Sequence, residues 1–195
     1  VTYEAADPIT AKPEPLNQLA GKKFLLYVGR PTPHKNLYRL VDAFSSVRQT
    51  HPELALVLAG KNDKNYNLLK NYALKRSVKN IVFTGFVSEG QLRWLYENGQ
   101  AYVFPSLSEG FGLPGLEAMV HGMPVVSSNA TCLPEIYKDG AIYFNPEDTA
   151  DMATKISQVL DDSKLAADLR AKGKKVSTGY SWQKMAQKTL DIYKE

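Results

Sequence analysis

The chain of 195 residues contains a single cysteine, Cys132, so it cannot close an internal disulfide, and a lone thiol fits a reducing compartment such as the cytoplasm. It has no apolar run of the roughly 18 to 20 residues that a membrane-spanning helix requires. Its opening Val1-Thr2-Tyr3-Glu4 lacks the charged and apolar regions of a secretion signal. Charge of one sign is scarce too. The 24 Lys and Arg against 20 Asp and Glu leave a net +4, gathered loosely at Lys61–Lys79 and Lys172–Lys175 without a nucleic-acid-binding motif, which argues against a nucleic-acid partner. Most of those cations read as solvated helix faces, with anionic ligands or a membrane surface as the remainder. Three nucleotide and metal signatures are absent. No Asp-x-Asp metal motif occurs. The turn after the first apolar run lacks Gly-x-Gly-x-x-Gly, which argues against a nicotinamide-dependent oxidoreductase. Gly60-Lys61-Asn62 lacks the upstream glycine and the following Ser/Thr of a P-loop.

What remains is a composition of 44% hydrophobic and 23% charged residues, the balance of a globular protein with one α/β domain's worth of core. Residues 1–20 hold Pro8, Pro13 and Pro15 and no sustained apolar period, and read as an extended linker outside the core. From Phe24 onward, short apolar runs recur at Phe24–Val28, Leu54–Ala59, Ile81–Phe83, Ala101–Phe104, Pro124–Ser127 and Ile142–Phe144. Continuous rather than alternating hydrophobicity suits strands buried on both faces of a parallel sheet. Between them lie helical periods. Leu37, Leu40, Val41, Phe44 and Val47 share one face, and Ser88 with Gln91 forms a capping box ahead of Leu92, Leu95 and Tyr96. Further stripes follow at Met152–Leu160, at Leu165 and Leu169, and at Trp182–Tyr193. The alternation predicts a Rossmann-like, doubly wound parallel sheet of about six strands, whose ligands sit at the carboxyl ends of the strands.

Three loops at those ends carry chemistry. In Pro105–Met119, Gly110 and Gly112 let the backbone approach a ligand, and Pro114 suits a first helical turn whose amides could hold an anion. Glu109 precedes that helix and Glu117 lies within it. Carboxylates of this kind grip vicinal hydroxyls, although a lone pair of glutamates beside a glycine-rich turn reads first as solvated. In Val28–Asn36, Arg30 and Lys35 bracket a proline-stiffened loop entering a helix, a phosphate clamp or equally a pair of surface charges. His34 there reads as a packing or hydrogen-bonding residue. In Ile81–Val87, the Gly85 turn could face a nucleobase, yet alone it is an ordinary strand-to-helix turn.

Together these segments resemble the carboxyl-terminal, nucleotide-sugar-binding lobe of the retaining glycosyltransferases with two Rossmann-like lobes (GT-B fold, family 4, group 1). The Glu-seven residues-Glu hallmark appears as Glu109 and Glu117 around Gly110-Phe111-Gly112-Leu113-Pro114. The Gly-Arg with a lysine five residues on appears as Gly29, Arg30 and Lys35, and the Phe-x-Gly-x-Val turn as Phe83, Gly85 and Val87. Leu116-Glu117-Ala118-Met119, Gly122–Ser127, Leu133-Pro134-Glu135-Ile136 and Asp139–Asp148 extend the likeness from about Phe24 to the C-terminus.

The resemblance implies roles. Arg30 and Lys35 would neutralise the donor pyrophosphate and stabilise the departing nucleoside diphosphate, with Glu109 as the third catalytic residue, holding hydroxyls of the transferred sugar. Glu117 would take the ribose. The amides of Phe111, Gly112 and Leu113 would lie beside sugar and diphosphate, Gly29 at the clamp, and Gly85 and Val87 along the base. The expected partners are a nucleotide-sugar donor, GDP-mannose ahead of a UDP-sugar, and a glycan or lipid-linked acceptor. No cofactor or metal is implied. The wording around His34–Leu37 and Gly112–Pro114 is most similar to bacterial mannosyltransferases of polysaccharide synthesis. Residues 21–195 would form the donor domain and residues 1–20 the interlobe linker, with the acceptor lobe outside this chain. The setting would be the cytoplasm or the inner face of a membrane, with peripheral contact made by the full-length protein. The alternative is a degenerate, non-catalytic module that binds nucleotide sugars or serves as a scaffold. Two departures from the family pattern stand out. Asn36 replaces a glycine, which predicts a side-chain cap at the helix entry, and Gly115 loosens the first turn of the hallmark helix. The last helix, with Trp182 and Met185, is expected to expose an apolar face.

Overall fold

A computed structural model describes residues 1–194. Six strands form one parallel sheet: β1 Phe24–Val28, β2 Ala55–Ala59, β3 Ile81–Gly85, β4 Ala101–Phe104, β5 Val125–Ser128 and β6 Ala141–Phe144. Every residue of β2, β4 and β5 is buried, as unbroken apolar runs between two helical layers require. The helices are α1 Leu37–Val47, α2 Lys64–Lys75, α3 Glu89–Asn98, α4 Leu113–Val120, α5 Leu133–Tyr137, α6 Thr149–Asp161, α7 Ser163–Ser177 and α8 Trp182–Lys194. Side-chain caps mark several of their starts. Asp63, Asp148 and Asp162 accept first-turn amides of α2, α6 and α7, and Ser88 with Gln91 closes a full capping box at α3. The expected six strands are all present, with boundaries that differ by at most two residues.

The strand order is β3-β2-β1-β4-β5-β6. Chain progression runs outward in one direction from β1 to β3, then returns beside β1 at β4 and runs outward the other way. Chain progression therefore reverses between β1 and β4, and the crevice at their carboxyl ends is where open α/β sheets bind ligands. That crevice lies between the arginine–lysine loop and the glutamate–glycine loop.

Two segments depart from or extend the sequence reading. Residues 1–20 are extended apart from one short 3-10 turn at Asn17–Leu19, but they are not outside the core, because Ala5 and Leu19 are buried within it. The segment is pinned along its length. The Ile9 amide donates to His121 Nε2 at 3.1 Å, Arg93 donates to the Ala11 carbonyl at 3.1 Å, and the Glu14 amide donates to the Gly90 carbonyl at 3.0 Å. Prolines prevent regular structure here but not docking, and the apolar side chains between them still gain by burial. At the other end, α8 has no buried residue, and Leu190, Ile192 and Tyr193 are exposed. No helix among the described residues is long and apolar enough to cross a membrane.

Candidate active site

The site is assembled from the β1–α1 and β4–α4 loops, which are tied together before any ligand arrives. The Leu107 amide donates to the His34 carbonyl at 2.7 Å. Asn36 adds two bonds through its Nδ2, to the carbonyls of Pro105 at 3.0 Å and Pro146 at 2.8 Å. The side chain is buried and its Oδ1 accepts from Arg39, so it does not cap α1 as the sequence predicts. Asn36 instead takes the left-handed conformation, φ 60°, that a glycine would adopt, and spends its amide on crosslinking three loops. Asparagine tolerates that region better than other side chains because its short amide finds local partners.

Within this frame, Lys35 Nζ and Glu109 Oε1 form an ion pair at 2.6 Å, both side chains mostly shielded from water at 19% and 11% exposure. Lys35 also lies over the Phe104 ring, 5.5 Å from its centroid. The Glu109 backbone is held separately. Thr131 Oγ1 accepts its amide at 3.1 Å, and its carbonyl accepts from Thr131 Oγ1 at 3.2 Å and from Cys132 Sγ at 3.3 Å. Burial raises the Cys132 thiol above its ordinary value, so it serves as a neutral donor. Arg30 is different: it is exposed, and its guanidinium has no partner among the described residues. The two expected cations thus stand apart in state, Lys35 engaged and Arg30 open to solvent.

Helix α4 begins at Leu113, with Gly112 as its cap at φ 98°, a backbone that side chains rarely adopt. The amides of Phe111 and Gly112 meet no acceptor among the described residues, and Leu113, as the first helical residue, has none within its helix. They line an open groove of about 510 Å³ together with Glu109, Thr2 and Glu4. Gly115 does not loosen this helix. A Cβ there would lie 2.3 Å from the Tyr137 ring, so the glycine is what lets Tyr137 reach across and donate its hydroxyl to the Gly112 carbonyl at 2.5 Å. Burial pushes the Tyr137 hydroxyl well above its ordinary value, which keeps it a donor.

Glu117, one turn further along α4, is half-buried, and its Oε2 accepts from the buried Tyr96 hydroxyl at 2.9 Å. Gly29 directly follows β1, and Gly85 ends β3. The Gly29 carbonyl accepts from Tyr66 at 2.9 Å, and the Gly85 carbonyl accepts the Gly60 amide at 3.1 Å. Val87 is half-buried against the core, beside a Phe86 that is 85% exposed. From β4 to β3 the strand ends span three inter-strand steps, about 14 Å. The predicted residues fall along that row, with Lys35 and Glu109 in direct contact. Sequence reasoning missed Thr131, Tyr137 and Tyr96, tyrosines and a threonine whose polar atoms reach the site from elements read only as core or turn. Among the described residues, no three His, Cys, Asp or Glu side chains converge as metal ligands would.

The family model for "Glycosyl transferases group 1" matches residues 9–176. The chain belongs to that family. The group 1 domain is 32% identical over 182 residues to the O-antigen chain mannosyltransferase B of Escherichia coli, covering 91% of this chain and 47% of that protein. It is 34% identical over 178 residues to the serotype-specific mannosyltransferase WbdA of Escherichia coli, covering 87% of this chain and 21% of the relative. Among solved structures, the sucrose-phosphate synthase of Thermosynechococcus elongatus superposes with a TM-score of 0.78 at 23% identity, over 97% of this chain and 51% of that one. The group 1 domain therefore shares the GT-B-type Rossmann-like fold, and it spans about half or less of the length of these proteins.

Proposed function

We propose that this group 1 domain is the donor-binding half of a retaining glycosyltransferase that moves a hexose, mannose from GDP-mannose, onto a glycan or lipid-linked acceptor. The observation that carries the reading is the Lys35–Glu109 pair, set at the sheet's crevice beside the unpartnered amides of Phe111, Gly112 and Leu113. An ammonium has three donors, so Lys35 can keep Glu109 and still reach a diphosphate oxygen. Arg30, open to solvent, adds a planar fork suited to a second phosphate. When the bond from the anomeric carbon to the diphosphate breaks, its electron pair leaves on oxygen, and these cations and amides meet the growing charge. Glu109 holds hydroxyls of the transferred sugar and Glu117 those of the ribose. The base extends toward Gly85 and Val87. No cofactor or metal takes part on this reading.

The mannosyl assignment is supported by two relatives that are named as mannosyltransferases. The acceptor surface belongs to a lobe outside these residues, joined through residues 1–20, and the enzyme works in the cytoplasm, brought to the inner membrane face by a lipid-linked acceptor. Calorimetric titration of the chain with GDP, UDP and ADP tests the proposal. GDP is expected to bind most tightly. Tighter binding of UDP would replace the mannosyl donor, and no binding of any diphosphate would remove the donor site altogether.

A further inference from the structure

Glu117 is a flexible side chain on a half-exposed helix face, yet one of its two oxygens is already engaged. Tyr96, in α3, donates its hydroxyl to Oε2 at 2.9 Å, while Oε1 has no partner among the described residues. The next acceptor, the Pro114 carbonyl, lies at 3.5 Å, so the single hydroxyl proton goes to the carboxylate. The tyrosine cannot swing away. Its ring is 1% exposed, lies parallel to His121 with centroids 5.6 Å apart, and touches Tyr102. His121 is itself fixed, because its Nε2 accepts the Ile9 amide. The capping box at Ser88 and Gln91 anchors the start of α3. A buried hydroxyl in the interior is costly unless paired, so the bond to Glu117 is held whether or not a ligand is present. Burial and the adjoining carboxylate keep the hydroxyl protonated.

We infer that Tyr96 is the positioning residue of the nucleotide site: by fixing Oε2 of Glu117 it presents Oε1, already ordered, to the vicinal hydroxyls of the ribose. This rests on the reading of Glu117 as the ribose carboxylate. A carboxylate ordered in advance loses less freedom when ligand binds than one that must be frozen on arrival, and that difference appears as affinity.

The test compares the ribose-bearing diphosphate with its 2′,3′-dideoxy form, using whichever of GDP and UDP binds the unmodified chain more tightly. Unmodified protein should prefer the ribose form, and Glu117→Ala should abolish the preference. Tyr96→Phe keeps the ring against His121 and removes only the hydroxyl. It should weaken the ribose form about three- to tenfold and leave the dideoxy form unchanged. In the Glu117→Ala background it should add nothing. A purely structural tyrosine would lower both affinities together, and that result, or no change in either, overturns the proposal. If instead Glu117→Ala leaves the preference intact, the ribose reading falls and takes the proposal with it. Should Tyr96→Phe fold poorly, proton NMR of the unmodified chain decides. A slowly exchanging Tyr96 hydroxyl signal that moves with the ribose form and not with the dideoxy form supports the role, and equal movement with both defeats it.

Discussion

Lys35 and Glu109 neutralise one another in a setting that leaves each under a fifth exposed, so removing either one changes the site by more than one contact. On the proposed function, taking away Lys35 deletes a phosphate donor and also leaves a shielded carboxylate unpaired and repelling the incoming diphosphate. An ionic phosphate contact contributes about 1.5 to 3 kcal/mol. Lys35→Ala should therefore weaken diphosphate binding at least about tenfold. Adding Glu109→Ala should restore part of that loss, because the repelling charge is gone, whereas Glu109→Ala alone should leave the diphosphate nearly unaffected and weaken only the intact sugar nucleotide. Calorimetry on the three variants checks this. A double variant as weak as or weaker than Lys35→Ala would show that the two residues act independently on the ligand. The residue types and spacing of both groups could be read from the chain. Their pairing could not, since nothing in a separation of 74 positions says that the two side chains touch.

At the scale of elements, α4 sets local propensity against tertiary packing. In an isolated helix, replacing Gly115 with alanine would stabilise by about 1 kcal/mol. Here the added methyl meets the Tyr137 ring at 2.3 Å, and overpacking of this kind costs about 1 to 3 kcal/mol. Packing should win. Gly115→Ala should lower the unfolding free energy in denaturant titration and, by displacing Tyr137 from the Gly112 carbonyl, weaken diphosphate binding as well. A second element-level prediction concerns the leading segment. His121 accepts the Ile9 amide through Nε2, which requires the neutral ring. Burial, opposed by Glu97 and aided by Arg93, holds its pKa below the ordinary value. The unfolded chain thus binds the proton more readily, so this contribution to stability is intact above about pH 6.5 and is lost as pH falls from there toward the folded-state value. His121→Gln keeps an acceptor without titrating. Thermal melts between about pH 7 and 5 should show a steeper loss for the unmodified chain than for the variant, and parallel curves would assign the acid sensitivity elsewhere.

For the molecule as a whole, the groove beside the Phe111 and Gly112 amides is open. On the proposed function, the arrangement supplies a leaving-group clamp and a grip on the sugar, and a closed site that excludes water needs a second surface opposite. Positioning of two reactants contributes about 7 to 11 kcal/mol of barrier lowering, most of which requires the acceptor to be held. These 195 residues alone should bind diphosphate weakly and transfer sugar at a negligible rate. The protein that also carries the acceptor lobe should transfer with retained anomeric configuration and without added metal. Radiolabelled transfer assays with and without chelator, followed by NMR of the product anomer, test each part, and efficient transfer by the 195 residues alone would contradict the proposed division of labour.

Six strands, their order of appearance and the starts of α3 and α4 were legible because each depends on residues near in sequence: unbroken apolar runs, Ser88 with Gln91 ahead of α3, glycine and proline at the turn into α4. The family was legible for a related reason, since Glu109, Glu117, Arg30 and Lys35 keep fixed distances along the chain. Tertiary structure alone decided how these residues are used. It turned Asn36 from an expected cap into a crosslink among three loops, and made Gly115 a contact point rather than a weakness. It drew the proline-rich leader onto the domain and gave each hallmark glutamate a partner, Lys35 for Glu109 and Tyr96 for Glu117. Those outcomes depend on which elements the sheet order places side by side, and contact between distant segments leaves no mark in the local pattern of either one.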